Sequence, residues 1–256
     1  MNIPMVDLKG QYLTLKDEID TALIDALSAT QFILGPNVQA FEKEAAGYLG
    51  VEHAVGVASG TDALHLALAA AGIGEGDEVI TTPFTFIATA EAISYVGAIP
   101  VFVDIDPYTF NIDLDQLEQA ITSKTKAVIP VHLFGQPVDM NALKKLCDDK
   151  GLVIVEDCAQ SFGAHIDNRQ TGSFGDFGAF SFFPSKNLGC FGDGGLITTN
   201  DEKGANELRV LRNHGSRERY HHNVIGYNSR LDELQAIILR IKLKHIDDYN
   251  HNRRRV

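Results

Sequence analysis

Three things are scarce in these 256 residues, and each scarcity closes off a class of protein. Cysteine occurs three times, as Cys147, Cys158 and Cys190, an odd count with no closely spaced pair. Neither a disulfide framework nor a cysteine-based zinc site is expected, and a reducing cytoplasm is the simplest setting. Basic residues are outnumbered: 22 Lys and Arg stand against 34 Asp and Glu, for a formal net charge of −12 at pH 7. A general nucleic-acid binder needs basic surface for phosphates, so that class is excluded, while a local site for an anionic ligand is not. Long apolar runs are missing as well. Those present are broken by Gly and Pro well short of a membrane span. Residues 1–11 carry Asp7 and Lys9 among scattered apolar positions and lack the basic start and apolar core of a secretory leader. Nine histidines are scattered through the chain. Only His221 and His222 adjoin, with no further ligand at useful spacing, so no metal site is expected.

What is present is ordinary globular composition, 45% hydrophobic and 22% charged, with enough chain for a large core. Short β-rich runs alternate with longer helical stretches. The apolar runs at 54–58, 78–81, 100–103, 127–131, 152–155, 179–182 and 196–199 read as seven strands without polar alternation. Such strands belong to a sheet covered on both faces, so the fold class is α/β with a mostly parallel sheet. Leu15, Ile19 and Leu23 share one face of a first helix, and Pro36 opens a second that carries Phe41, Ala45 and Tyr48. Further helices are predicted at 61–71, 86–96, 113–121 and 140–150, the last stopped by Gly151. Residues 229–249 read as one long amphipathic helix with Leu231, Leu234, Ile238, Ile241 and His245 near one face. It runs into Arg253-Arg254-Arg255 without a Gly or Pro stop. That end reads either as a frayed basic terminus or as a point from which a further portion continues.

Ligands of such sheets bind beyond the carboxyl ends of the strands, and three segments there carry chemistry. Ser59-Gly60-Thr61-Asp62-Ala63-Leu64 follows a strand and opens a helix. A glycine turn with small hydroxyl residues at a helix N-terminus cradles phosphate, although an N-cap alone would account for it. Val153-Ile154-Val155-Glu156-Asp157 ends a buried strand on two carboxylates, with Gln160 three residues on. A carboxylate there can keep a ring nitrogen protonated, or else serve as a helix cap or metal ligand. Phe180-Ser181-Phe182-Phe183-Pro184-Ser185-Lys186-Asn187 places one lysine after an aromatic strand and a proline turn, ahead of Gly189, Gly192, Gly194 and Gly195. An amine in apolar surroundings loses its proton readily and becomes a nucleophile for carbonyls; the plain alternative is a surface lysine on a loop. Pro83-Phe84-Thr85-Phe86 adds an aromatic at a strand end, suited either to stacking on a flat ring or to core packing. Phosphate cradle, carboxylate and lysine, in that order on an α/β sheet, form the pattern of a pyridoxal-phosphate site.

These segments resemble the DegT–DnrJ–StrS family of nucleotide-sugar aminotransferases, which have the aspartate aminotransferase type of fold. The likeness also takes in Ile3-Pro4-Met5-Val6-Asp7-Leu8, Ile87-Ala88-Thr89, Val131-His132-Leu133-Phe134-Gly135, Cys158-Ala159-Gln160 and Gly226-Tyr227-Asn228-Ser229-Arg230-Leu231-Asp232, all in family order. It implies pyridoxal 5'-phosphate as cofactor and a seven-stranded cofactor-binding large domain over residues 1–240. Residues 241–256 would then begin a smaller C-terminal domain that is largely missing. Lys186 would form the Schiff base and shuttle the proton, Asp157 would pair with the ring nitrogen, Gln160 would contact the ring hydroxyl, and Phe86 would stack on the ring. Thr61, Ser181 and the backbone at Gly60 and Asp62 would hold the phosphate. Asn228 would reach the phosphate of a neighbouring subunit's cofactor, which implies a homodimer with shared active sites. The implied reaction moves an amino group, from glutamate, to a keto sugar on a nucleoside diphosphate in the cytoplasm, with 3-keto sugars ahead of 4-keto ones. A sugar dehydratase carries His in place of the lysine, which Lys186 argues against. A catalytically silent or regulatory homologue is the remaining alternative.

Overall fold

Seven strands form the central sheet: β1 (His53–Val57), β2 (Glu78–Thr81), β3 (Ile99–Phe102), β4 (Thr125–Val128), β5 (Val153–Asp157), β8 (Phe177–Ser181) and β9 (Gly195–Thr199). A small ribbon, β6 (His165–Ile166) with β7 (Arg169–Gln170), lies between β5 and β8 in the chain. The sheet order is β1-β9-β8-β5-β4-β2-β3, and only β9 runs against its two neighbours. The mostly parallel sheet read from the uninterrupted apolar runs is therefore present. The structure, a computed structural model, describes residues 6–218 and 220–255. The Ile3-Pro4-Met5 part of the opening motif and Val256 lie outside the described residues.

Side-chain alternation along the strands explains why neither face of the sheet is polar. On β5, Val155 joins the cluster of Leu64, Leu66, Leu68, Ile93 and Leu208, while its neighbour Ile154 joins Ile80, Val128, Leu143 and Cys147 on the opposite face. On β8, Ala179 belongs to the first cluster and Phe180 to a third, with Phe41, Phe162, Phe182 and Leu239. Phe41, Phe180 and Phe182 are fully buried, each contributing on the order of 2–3 kcal/mol by removal from water. Nine helices are present among the described residues. α3 (Gly60–Ala70), α4 (Ala88–Tyr95) and α7 (Glu202–Leu211) supply the first cluster, α5 (Leu114–Ala120) and α6 (Met140–Lys150) the second. α2 (Pro36–Leu49) opens on Pro36 and stops at Gly50 in the left-handed region, and Gly151 ends α6 in the same way. α1 (Leu8–Ala29) packs on α8 (Glu233–Leu243) through Ile19, Ala26, Ile237, Ile238 and Ile241.

Two expectations need correction. The single helix over residues 229–249 is two helices, α8 and α9 (Ile246–Arg255), separated by a turn in which His245 N–H bonds to Lys242 O at 3.0 Å. Neither Gly nor Pro makes the break. α9 instead turns to reach different neighbours: Asp247 accepts from Tyr48 Oη at 2.6 Å, and Asn250 bonds to Phe162 O and Asn187. Upstream, Asn228 and Asp232 form isolated β-bridges with Asn213 and Ile33, so the helix starts only at Glu233. The predicted helix from 86 begins at Ala88, which leaves Phe86 in the preceding loop. Among the described residues no helix is long and apolar enough to cross a membrane.

Candidate active site

The carboxyl ends of β1, β5 and β8 converge on one cavity of about 400 Å³. After β1, Ser59 adopts an extended conformation and caps α3: its Oγ accepts from Asp62 N–H at 3.1 Å. The Gly60 and Thr61 N–H groups are helix-start donors without intrahelical partners, and the helix dipole favours an anion beside them. Gly60 has to be glycine for steric reasons, because a Cβ there would lie 2.5 Å from Ser181 Cβ. Its absence lets Ser181, the last residue of β8, close against the helix start. A Cβ on Gly195 would likewise meet Ser59 O at 2.2 Å.

Asp157 ends β5 and is 5% exposed. Its Oδ1 accepts from Ala159 N–H at 3.1 Å and its Oδ2 from the Thr89 hydroxyl at 2.9 Å. Thr85 Oγ1 lies 2.9 Å from Thr89 Oγ1, so two hydroxyls back the carboxyl. Burial raises the Asp157 pKa against the pull of these hydrogen bonds and of the Lys186 charge. Lys186 follows a turn closed by its own N–H to Phe183 O at 2.8 Å. Burial lowers its pKa, opposed by the Asp157 charge. Both groups are thereby biased toward their neutral forms, the state in which an amine attacks a carbonyl.

The neighbouring acid faces the other way, as strand alternation requires. Glu156 is fully buried, with Oε1 accepting from Phe174 and Gly175 N–H (2.8 and 2.7 Å) and Oε2 from Gly172 N–H (2.8 Å). Its Oε2 also lies 3.0 Å from His132 Nε2. Because His132 Nδ1 accepts from Val138 N–H at 3.1 Å, the ring proton belongs on Nε2, pointing to Glu156. His132, Glu156 and Cys158 bring ligand-type atoms within 4.8 Å of one another, but the Glu156 oxygens are occupied by these four donors. His221 and His222 sit exposed on a ribbon, β10 (Ser216–Glu218) with β11 (His221–His222).

Of the residues predicted from sequence, Gly60, Thr61, Phe86, Asp157, Gln160, Ser181 and Lys186 all line the cavity. Phe86, 71% exposed, forms part of the rim. Phe134 N–H donates to Gln160 Oε1 at 2.8 Å, so the amide NH2 is the end available to a ligand. Two predicted residues stand apart. Asp62 gives its N–H to the Ser59 cap and accepts from Ser229 Oγ at 2.9 Å. Asn228 is exposed, in the bridge to Asn213. Sequence reasoning assigned no role to Thr85, Thr89, His132 or Ser185, which also line the cavity. Thr85 and Thr89 were visible as hydroxyls four residues apart around Phe86; nothing local tied them to Asp157.

The family model described as the DegT/DnrJ/EryC1/StrS aminotransferase family matches residues 13–256. A UDP-N-acetyl-3-dehydro-alpha-D-glucosamine 3-aminotransferase of Acidithiobacillus ferrooxidans is 56% identical over 99% of this chain and 69% of its own length. A protein named pleiotropic regulatory protein, from Geobacillus stearothermophilus, is 52% identical over 100% of this chain and 68% of its own. The crystal structure of S. venezuelae DesV in complex with a ketimine intermediate superposes with a TM-score of 0.94 at 50% identity, covering 96% of this chain and 66% of that one. The chain thus spans about two thirds of the length of these relatives. With a family match over nearly the whole sequence and a fold shared at this level, the chain belongs to the DegT/DnrJ/EryC1/StrS aminotransferase family, whose cofactor is pyridoxal 5'-phosphate.

Proposed function

We propose that the protein is an aminotransferase that moves an amino group from glutamate to the keto carbon of a nucleoside-diphosphate sugar, a 3-keto sugar ahead of a 4-keto one. The observation that carries this reading is the meeting of Lys186, Asp157 and the α3 N-terminus in one cavity. The family's cofactor fits the residues present. Gly60 leaves room beside Ser181 that a Cβ would fill, next to free helix-start N–H groups, as a phosphate requires. Asp157 is a buried carboxyl whose charge lacks a full counter-ion, as a protonated ring nitrogen requires.

Pyridoxal 5'-phosphate, when bound, supplies the electron sink through which an amino group can be taken up and returned. The protein's share is binding and proton management. Thr61, Ser181 and the Gly60 backbone hold the phosphate, the Asp62 N–H being taken by the Ser59 cap. Asp157 keeps the proton on the ring nitrogen, with Thr89 and Ala159 fixing its oxygens. Gln160 donates to the ring hydroxyl from an amide pinned by Phe134, and Phe86 covers one ring face. Lys186 Nζ would be the group that holds the cofactor at its carbonyl carbon and, as a free amine, the base that moves the substrate proton. Asn228, exposed on the surface, extends to the cofactor phosphate of a second copy, so the working unit is a homodimer with shared sites in the cytoplasm. Residues 1–240 make up the cofactor-binding body; α8 continues past that point to Leu243, and α9 packs back on the body through Tyr48, Phe162 and Asn187. The Acidithiobacillus relative, named for a 3-dehydro sugar, supports the 3-keto preference. The regulatory alternative has a relative's name in its favour, but it gives no reason for Lys186 and Asp157 to line one cavity.

A coupled assay tests the reading. The protein is given glutamate and a panel of 3-keto and 4-keto UDP- and dTDP-sugars, and 2-oxoglutarate release is followed. Release that depends on a 3-keto sugar is expected; no release with any keto sugar contradicts it.

A further inference from the structure

Lys242, on α8, is 0% exposed, and nothing in the chemistry above uses it. Its Nζ donates to Gly189 O at 2.7 Å and lies 4.4 Å from the centre of the Phe191 ring. Among the described residues no carboxylate pairs with it. An ammonium withdrawn from water is costly unless its protons are bonded, and burial holds this one down to about 8. A carbonyl and an aromatic face are its compensation. Gln235, seven residues earlier and so on the same helix face, holds the same loop: Phe191 N–H donates to Gln235 Oε1 at 2.8 Å, and Gln235 Nε2 donates to Phe191 O at 3.4 Å.

The loop these residues hold carries Lys186. A Cβ on Gly189 would lie 2.5 Å from Pro184 O and 2.9 Å from Phe183 O, so the Gly189 backbone packs directly on the turn before the lysine. Phe183 O is also the acceptor of the Lys186 N–H. A continuous chain of contacts therefore runs from Lys242 Nζ through Gly189 and Phe183 O to the Lys186 backbone. On the other side Asn187 Nδ2 donates to Phe162 O at 2.6 Å and to Asn250 Oδ1 at 3.0 Å. Leu188 and Cys190, both 0% exposed, set the depth of the loop, and the polar contacts set its orientation.

Building on the reading of Lys186 as the amine that takes the cofactor, we propose that Lys242 is a positioning residue. Through the Gly189 carbonyl it holds the 184–189 turn where Lys186 Nζ reaches the cavity, with Gln235 as the second hold on the same loop.

Lys242→Met keeps an unbranched side chain one atom shorter and removes the donor; Gln235→Ala loosens the loop without touching a charge. Each is compared with the unaltered chain, freed of cofactor, by two readouts. One is the rate at which pyridoxal 5'-phosphate is captured, with the site located by borohydride reduction and peptide mass. The other is equilibrium binding of pyridoxamine 5'-phosphate, which uses the phosphate cradle and Asp157 but not the Lys186 amine. Capture is expected to slow about tenfold in Lys242→Met and about threefold in Gln235→Ala, with pyridoxamine 5'-phosphate affinity kept within about twofold. Unchanged capture in Lys242→Met overturns the proposal, and so does a parallel loss of capture and of pyridoxamine 5'-phosphate affinity, which marks damage to the whole pocket. Should Lys242→Met not fold, Gln235→Ala decides by the same two readouts. Failure of the underlying reading has its own signature, reduced cofactor on a lysine other than Lys186 in the unaltered chain, and that result overturns both.

Discussion

The Thr89 hydroxyl donates to Asp157 Oδ2 at 2.9 Å, joining the first turn of α4 to the end of β5 across 68 residues of chain. A buried carboxylate that is to hold a ring proton needs donors aimed at it, or it neutralises itself instead. Thr89→Val keeps the shape and removes the donor, so the Asp157 pKa rises further. We expect amino transfer to fall about tenfold or more, the worth of one hydrogen bond to a charged group, with the cofactor still bound. Single-turnover kinetics of the variant checks this, and an unchanged rate contradicts it.

The two adjacent acids of β5 separate into scaffold and chemistry. Glu156→Ala strands the Gly172, Phe174 and Gly175 N–H groups in the core, and we expect a loss of about 3 kcal/mol or more in thermal or urea unfolding. Asp157→Asn should unfold at or above the parent temperature in the cofactor-free chain, since burial already disfavours its charge. Its amino transfer should drop on the order of 10²–10⁴-fold. The opposite assignment, Glu156→Ala stable and Asp157→Asn active, would reverse the roles.

His65 gives a pH dependence that belongs to the fold alone. Its ring packs against Tyr95 and Tyr227 with centroids at 5.7 and 4.5 Å, and its buried Nε2 has no hydrogen-bond partner among the described residues. Burial lowers its pKa from the usual 6.5, with the Asp62 charge opposing. The unfolded chain therefore takes up a proton at higher pH than the folded one. The stability associated with neutral His65 is complete above about 6.5 and is lost as pH falls from there through the folded-state value. His65→Phe keeps an aromatic ring in place and cannot titrate. Between about pH 7.5 and about pH 5.5, unfolding curves should show the variant gaining on the parent as pH falls. Parallel curves would exclude the effect.

Much of this was legible in the sequence because it is local. Uninterrupted apolar runs give buried parallel strands, Gly50 and Gly151 stop helices, and Ser59-Gly60-Thr61 opens one with free donors toward the cavity. The order of cradle, carboxylate and lysine survives into one pocket because each sits where a strand ends. What was not legible depends on distant partners. Strand alternation sends Glu156 and Asp157 to opposite sides, but only the Gly172–Gly175 loop and Thr89 decide which faces the cavity. Asp62 sits at a helix start suited to an anion, and its carboxylate is claimed by Ser229, 167 residues away. The break after Lys244 has no Gly or Pro to announce it and follows from where Tyr48, Phe162 and Asn187 lie. Lys242 reads on a helical wheel as a charge near the helix C-terminus; its burial comes from the loop behind Lys186.

Peptide mapping after borohydride reduction decides whether Lys186 is the residue that takes pyridoxal 5'-phosphate. Burial places the amine's pKa below 10.5, so the free base is available to capture the cofactor at a pH where an exposed lysine remains charged; capture should rise with pH and level off once Lys186 is deprotonated. One reduced cofactor per chain is expected, on the peptide containing Lys186, and none on that chain after Lys186→Ala, which should still bind pyridoxamine 5'-phosphate through the α3 cradle. Cofactor trapped at parental stoichiometry in Lys186→Ala, or on a different lysine in the unaltered chain, would contradict it.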